Sequence, residues 1–216
     1  MGLFLNRKIG GKGKLSIWHI SESVSELLGM SVFREEELLQ MNSFSRDQRK
    51  KEWLISRMLI KKITRAKDAE IIYDDSNKPF LKNSKQSISI SHSHNLLAVV
   101  IDDKETGIDI ECIKPNVLRI KEKFMSDDEL KAMGTGFEKE KLTLYWCAKE
   151  SLYKLYGKKK LAFKQNLFVE PFEYMQKGII IGKISIGSMK KTLTLHYEKI
   201  FVESKEYMMA YVVNGD

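Results

Sequence analysis

The chain has 216 residues, 43% of them hydrophobic and 31% charged, with only 3 prolines; this excludes a disordered tail or a collagen-like chain and suits one large domain or two small ones. Lys and Arg number 37 against 29 Asp and Glu, a net charge of +8 that favours an acidic partner (nucleic acid, anionic membrane, polyphosphate or acidic protein) without choosing among them. No run approaches the ~18 apolar residues of a membrane span, and Met1 to Gly13 hold too short an apolar stretch for a secretory signal, so a cytoplasmic protein is expected.

In chain order, Gly10-Gly11-Lys12-Gly13-Lys14 looks superficially like a phosphate-cradling loop, but it precedes a strand instead of following one and opening a helix. It is expected to be a flexible basic arm. Leu15 to Ile20 then forms a strand, and Ser21 is a candidate cap for a short helix around Val24 to Leu28. From Ser45 or Asp47 to Ile63, the residues Trp53, Leu54, Met58, Leu59 and Ile63 recur at helical spacing, with Arg49, Lys50, Arg57 and Lys61 on other faces. Short strands over Glu70 to Tyr73, Pro79 to Leu81, Ser87 to Ser91 and Leu96 to Asp102 follow, with Ser76-Asn77-Lys78 and His94-Asn95 as turns.

The second half repeats this order. A strand over Gly107 to Cys112 leads through helical pieces near Arg119 to Phe124 and Asp127 to Met133 to a long helix, Glu138 to Tyr156, stopped by Gly157. Strands over Gly178 to Ile186, Thr192 to Lys199 and Tyr207 to Val213 complete it. Ile17 precedes Trp53 by the same offset as Ile110 precedes Trp146, which points to a duplicated strand, helix and meander unit. The fold expected is α+β, in two similar halves (residues 1–105 and 106–216), each a long helix on an antiparallel sheet, with a ligand cleft between them. Cys112 and Cys147, both in apolar runs, are expected to be reduced thiols.

Three segments could carry chemistry. In Thr106-Gly107-Ile108-Asp109-Ile110-Glu111 strand alternation points Asp109 and Glu111 to one face. Two such carboxylates, roughly 6.6 Å apart along a strand, can converge on a hard cation such as Mg²⁺; a solvated acidic edge strand has the same pattern. In Trp146-Cys-Ala-Lys149-Glu150-Ser-Leu-Tyr-Lys154, Trp146, Glu150 and Lys154 form one helical stripe, which serves either a structural ion pair between Glu150 and Lys154 or a charged site beside the core. In Ile90-Ser91-His92-Ser93, the imidazole and hydroxyls suit a phosphate or a structural network. His92 and His94 lack nearby partners for zinc. Basic places at Lys78, on the helix face with Arg49, Lys50 and Arg57, and at Lys158-Lys159-Lys160 would each suit an anion or a solvated face.

Taken in order, Ile90-Ser-His-Ser, Gly107-Ile-Asp-Ile-Glu111 and Trp146-Cys-Ala-Lys-Glu-Ser-Leu-Tyr-Lys154 resemble the signature of the 4′-phosphopantetheinyl transferase superfamily, closest to its Sfp-like branch of single chains with two similar halves. The resemblance implies a Mg²⁺-dependent enzyme that moves the phosphopantetheine arm of coenzyme A to a serine of an apo acyl or peptidyl carrier protein. Carried over by motif, Asp109, Glu111 and Glu150 would hold the metal, with Glu150 also a candidate base. Lys154 would bind the phosphates. Lys149, Lys78, Ser91, His92 and, more loosely, Arg57 would contact coenzyme A, so that Asp109, Glu150 and Lys154 form the catalytic set. Thr106 and Asn77 depart from the family's usual apolar residue and glycine. The implied partners are coenzyme A and a carrier protein docking around Lys114 to Gly136, with no membrane and no oligomer. A basic nucleic-acid-binding protein or metal-dependent nuclease using the same groups is the alternative, and a coenzyme A or carrier-binding module without turnover is a third reading.

Overall fold

The long amphipathic helix expected in the first half forms as α3 (Asp47–Thr64). Its apolar stripe, Trp53, Leu54, Leu59, Ile60 and Ile63, packs on Leu97, Val99 and Ile101 of a strand beneath it, and the chain leaves the helix through Arg65 in a left-handed conformation. The computed structural model describes residues 2–158 and 161–215. In the first half, β1 (Gly2–Lys8), β2 (Lys14–His19), α1 (Val24–Gly29) and α2 (Glu35–Asn42) precede α3; β3 (Ile71–Tyr73), β4 (Pro79–Leu81), β5 (Ser87–Ser93) and β6 (Leu96–Asp102) follow it. The second half runs β7 (Thr106–Cys112), α4 (Val117–Phe124), α5 (Asp127–Ala132), α6 (Glu138–Tyr156), α7 (Phe163–Asn166), β8 (Leu167–Val169), β9 (Lys177–Ile186), β10 (Met189–Val202) and β11 (Lys205–Val213).

The fold is α+β with two antiparallel sheets among the described residues, ordered β1-β2-β6-β5-β4-β3 and β7-β11-β10-β9-β8. Apart from the added edge strand β1, both sheets set their first strand beside their last and then count the meander backwards. The strand, helix and meander order therefore occurs twice. Each half has its own apolar cluster under its long helix. A third cluster joins the sheets, with Leu15, Ile17, Ala98 and Val100 against Ile108, Ile110, Met209 and Tyr211. Ile17 and Ile110, the two residues at matching offsets, are both fully buried in this shared core.

The sheets are also stapled by polar groups. β7 is an edge strand, and its outward amides at Thr106, Ile108, Ile110 and Cys112 donate to the hydroxyls of Ser87, Ser89, Ser91 and Ser93 of β5 at 3.1, 3.0, 3.3 and 3.1 Å. Alternation puts all four serines on one face of β5, so side chains satisfy donors that a neighbouring strand would otherwise take.

Several expectations change. The glycine-rich segment is not a flexible arm: it closes the β1–β2 hairpin, with Lys12 on Asp103 at 3.0 Å and Lys14 on the Ile63 carbonyl at 2.9 Å. Ser23, not Ser21, caps α1, in a reciprocal box with Glu26. Asn77 adopts φ 62°, a left-handed turn that asparagine tolerates in place of glycine. Thr106 is buried, with its hydroxyl satisfied by the Val212 carbonyl. Both cysteines are free thiols. Lys159 and Lys160 lie outside the described residues. Among the described residues no helix is long and apolar enough to cross a membrane.

Candidate active site

β7 sorts its residues as alternation dictates. Ile108 and Ile110 enter the shared core, while Gly107, Asp109 and Glu111 face α6. A methyl group at Gly107 would strike the Ser151 carbonyl and come within 2.9 Å of the Leu155 amide, so glycine is what lets the helix backbone lie directly on the strand. That approach carries Glu150 and Lys154 over the carboxylates. Lys154 Nζ donates to Asp109 Oδ1 at 2.8 Å and to the Ile108 carbonyl at 2.9 Å. The ion pair that Lys154 makes among the described residues is thus with Asp109 across the site, not with Glu150 along the helix.

Asp109 is close enough to perturb the other two carboxylates. Burial, then the Asp109 charge, pushes the Glu150 carboxyl up to about 7 despite Lys154. Burial, then Asp109, also raises Glu111, although the Ser93 hydroxyl and the nearby lysines work the other way. Asp109 Oδ2 is buried without a hydrogen-bond partner. Among the described residues no three His, Cys, Asp or Glu side chains already converge on one point. The donor set nevertheless fits a hard cation: oxygen ligands only, an orphaned buried carboxylate oxygen, and an Asp109 charge that raises the proton affinity of Glu111 and Glu150.

Two adjoining cavities lie on the Lys154 side of this cluster, lined by none of the three carboxylates. One, of about 140 Å³, is lined from both halves, by Asn77, Lys78, Ile90, Tyr153, Lys154 and Gly157 among others. The other, of about 170 Å³, is lined by Arg49, Glu52, Arg57, Tyr73, Asn77 and His92 among others. Larger hollows of about 490 and 670 Å³ lie elsewhere, lined by neither Lys78 nor Lys154.

Lys78 sits at the seam, donating to the Leu155 carbonyl at 2.8 Å, its stem packed on Gly157. Arg57 is buried, with its guanidinium 3.5 Å above the Trp53 ring. His92 is partly exposed and 3.3 Å from Glu52; burial holds its basicity below that of an ordinary histidine. Two expectations need correction. Lys149 is fully buried, its ammonium shared by Glu129 and the Phe124 and Phe163 carbonyls at 2.7, 2.7 and 3.3 Å; with its donors spent inside the fold, it is not placed to contact a ligand. The Ser91 hydroxyl is likewise directed to Asp109 Oδ1 at 2.7 Å, so it serves a carboxylate, not a phosphate.

Sequence reasoning missed Glu129, the serine ladder and Glu52. Glu129 had a signal, because Ser126-Asp-Asp-Glu129 has the spacing of a capping box and forms one. The alternating serines of 87–93 were visible too, but alternation alone does not say that an unpaired strand edge lies opposite.

A family model described as ACPS, 4'-phosphopantetheinyl transferase superfamily, matches residues 105–211, the stretch that holds Asp109, Glu111, Glu150 and Lys154. The chain is also similar to the 4'-phosphopantetheinyl transferase psf-1 of Bacillus pumilus, 38% identical over 73 residues. That match covers 32% of this chain and 31% of the relative.

Proposed function

Since the chain belongs to the 4′-phosphopantetheinyl transferase superfamily, we propose that it transfers the 4′-phosphopantetheine arm of coenzyme A to a serine of an acyl or peptidyl carrier protein, as a holo-carrier-protein synthase. The serine oxygen bonds to the phosphorus bearing the pantetheine arm, the pyrophosphate P–O bond breaks, and adenosine 3′,5′-bisphosphate leaves. The observation that carries this reading is Glu150: a half-buried carboxyl with a midpoint near 7, beside a lysine–aspartate pair whose lysine lines a cavity shared with Lys78 and Lys158.

In this reading residues 1–105 supply Lys78, Arg57 and His92 to the nucleotide part of coenzyme A, and residues 106–216 supply the reacting groups. Glu150 takes the serine proton, directly or through water, because its proton affinity matches neutral pH. Lys154, anchored by Asp109, offsets charge building on the transferring phosphoryl group. Asp109, Glu111 and Glu150 would hold a divalent cation such as Mg²⁺, which neutralises pyrophosphate oxygen charge when bound. The net charge of +8 steers an acidic carrier to the site, with residues 114–136 as its docking surface. The chain works as a cytoplasmic monomer.

The test is intact-protein mass spectrometry of an apo carrier protein incubated with this chain, coenzyme A and Mg²⁺. A gain of one phosphopantetheine that disappears with chelator, with Asp109→Ala and with Glu150→Gln is expected. No gain across several carriers, or undiminished activity in either folded variant, overturns the assignment.

A further inference from the structure

Ser91 and Ser93 do two things at once in the ladder between the sheets. Ser91 Oγ accepts from the Ile110 amide at 3.3 Å and donates to Asp109 Oδ1 at 2.7 Å. Ser93 Oγ accepts from the Cys112 amide at 3.1 Å and donates to Glu111 Oε2 at 2.8 Å. A hydroxyl has a single proton. With an amide already pointing at its lone pair, that proton is aimed at the carboxylate of the preceding β7 residue.

The other two rungs have no carboxylate to hold. Ser89 meets the Ile108 amide opposite Gly107, which has no side chain, and Ser87 meets the Thr106 amide alone. The same staple thus continues along β5, and only its last two rungs reach acidic side chains. Those two rungs fix one oxygen of each carboxylate, and in Asp109 leave Oδ2 buried and unpartnered.

We propose that Ser91 and Ser93 are positioning residues: from the first sheet, they set the orientation in which Asp109 and Glu111 present their oxygens to a divalent cation. The inference rests on the reading of these carboxylates as a cation site. It makes that site dependent on the register between β5 and β7, so the second half does not build its cation site alone. Outer-shell hydrogen bonds of this kind are typically worth about 10–100-fold in metal affinity.

The experiment is direct binding of Mn²⁺, followed by electron paramagnetic resonance of the free ion, to the full chain and to Ser87→Ala, Ser91→Ala and Ser93→Ala. Thermal denaturation is measured in parallel. All three variants lose an acceptor for a strand amide and should melt lower than the parent. Only Ser91→Ala and Ser93→Ala should weaken Mn²⁺ binding, by about 10–100-fold. Parent-like affinity in both, or an equal loss in Ser87→Ala, overturns the proposal and leaves the ladder as a staple only. Should Ser91→Ala not fold, the less buried Ser93→Ala decides the matter. A parent chain that binds no Mn²⁺ rejects the cation-site reading itself, and this inference with it.

Discussion

Replacing Glu150 by Gln removes a charge that the fold disfavours, and the consequence for stability can be worked out from the site. An unfolded glutamate ionises near 4.5, whereas Glu150 in the folded chain ionises near 7. Between those values the folded state holds a proton that the unfolded state has released, so raising the pH favours unfolding. At about 1.4 kcal/mol per pH unit, complete desolvation would cost about 3 kcal/mol above pH 7. Glu150 keeps some contact with solvent, which reduces the figure to roughly 1–2 kcal/mol. Glu150→Gln has no proton to lose and escapes this penalty. It is therefore expected to be more stable than the parent by about 1–2 kcal/mol at pH 8, with the difference shrinking towards zero near pH 4.5, while transfer is abolished. Urea denaturation across this range, in chelator to keep the site free of metal, measures it. Equal stability of the two proteins at pH 8, or a difference that does not change with pH, would refute the argument that Glu150 is held charged against its surroundings.

The same group predicts the pH dependence of cation binding: Mn²⁺ affinity should rise as Glu150 loses its proton, up to about 7, and then level off; an affinity flat from pH 5.5 to 8 would remove Glu150 as a ligand. Lys149→Met leaves the Glu129 carboxylate buried without its cation, and a loss of about 3–5 kcal/mol is expected in denaturation. Pairing it with Glu129→Leu should recover a good part of that loss, since the buried charge is then gone as well. Gly107→Ala forces β7 and α6 apart at the Ser151 carbonyl, and should lower the melting temperature by an amount corresponding to about 3 kcal/mol or more; a variant as stable as the parent would mean that the strand and helix are not in backbone contact.

Much of the fold was legible because each half repeats two strong periodicities. A stripe at helical spacing defines α3 and α6, alternation defines β5 and β7, and a continuous apolar run buried throughout defines β6. The α6 span, Glu138 to Tyr156, agrees with the sequence expectation residue for residue because Gly157 ends it with a left-handed cap accepted by the Tyr153 carbonyl. The missed elements are those whose apolar pattern is weak by itself. β1 is an edge strand with half-buried residues, α2 sinks only Met41 and the Glu37 stem, and β8 is three residues long. Their existence depends on neighbours that local pattern does not reveal.

For the site, spacing along one element was a good guide and spacing between elements was not. Alternation placed Asp109 and Glu111 on one face, and helical geometry put Glu150 and Lys154 on one stripe. Which face met which followed from Gly107, whose missing side chain lets α6 settle on β7 and turns Lys154 to Asp109. Lys149 illustrates the converse. It adjoins Glu150 in sequence, but a helix turns about 100° per residue, so the neighbour of a site residue points elsewhere, here into the buried carboxylate of Glu129. A motif lysine can therefore be indispensable without touching substrate. Its buried pair with Glu129 links α6 to the α5 cap and, through the Val169 amide, to β8. The rigidity of the helix that carries Glu150 and Lys154 thus depends in part on a charge the ligand never meets.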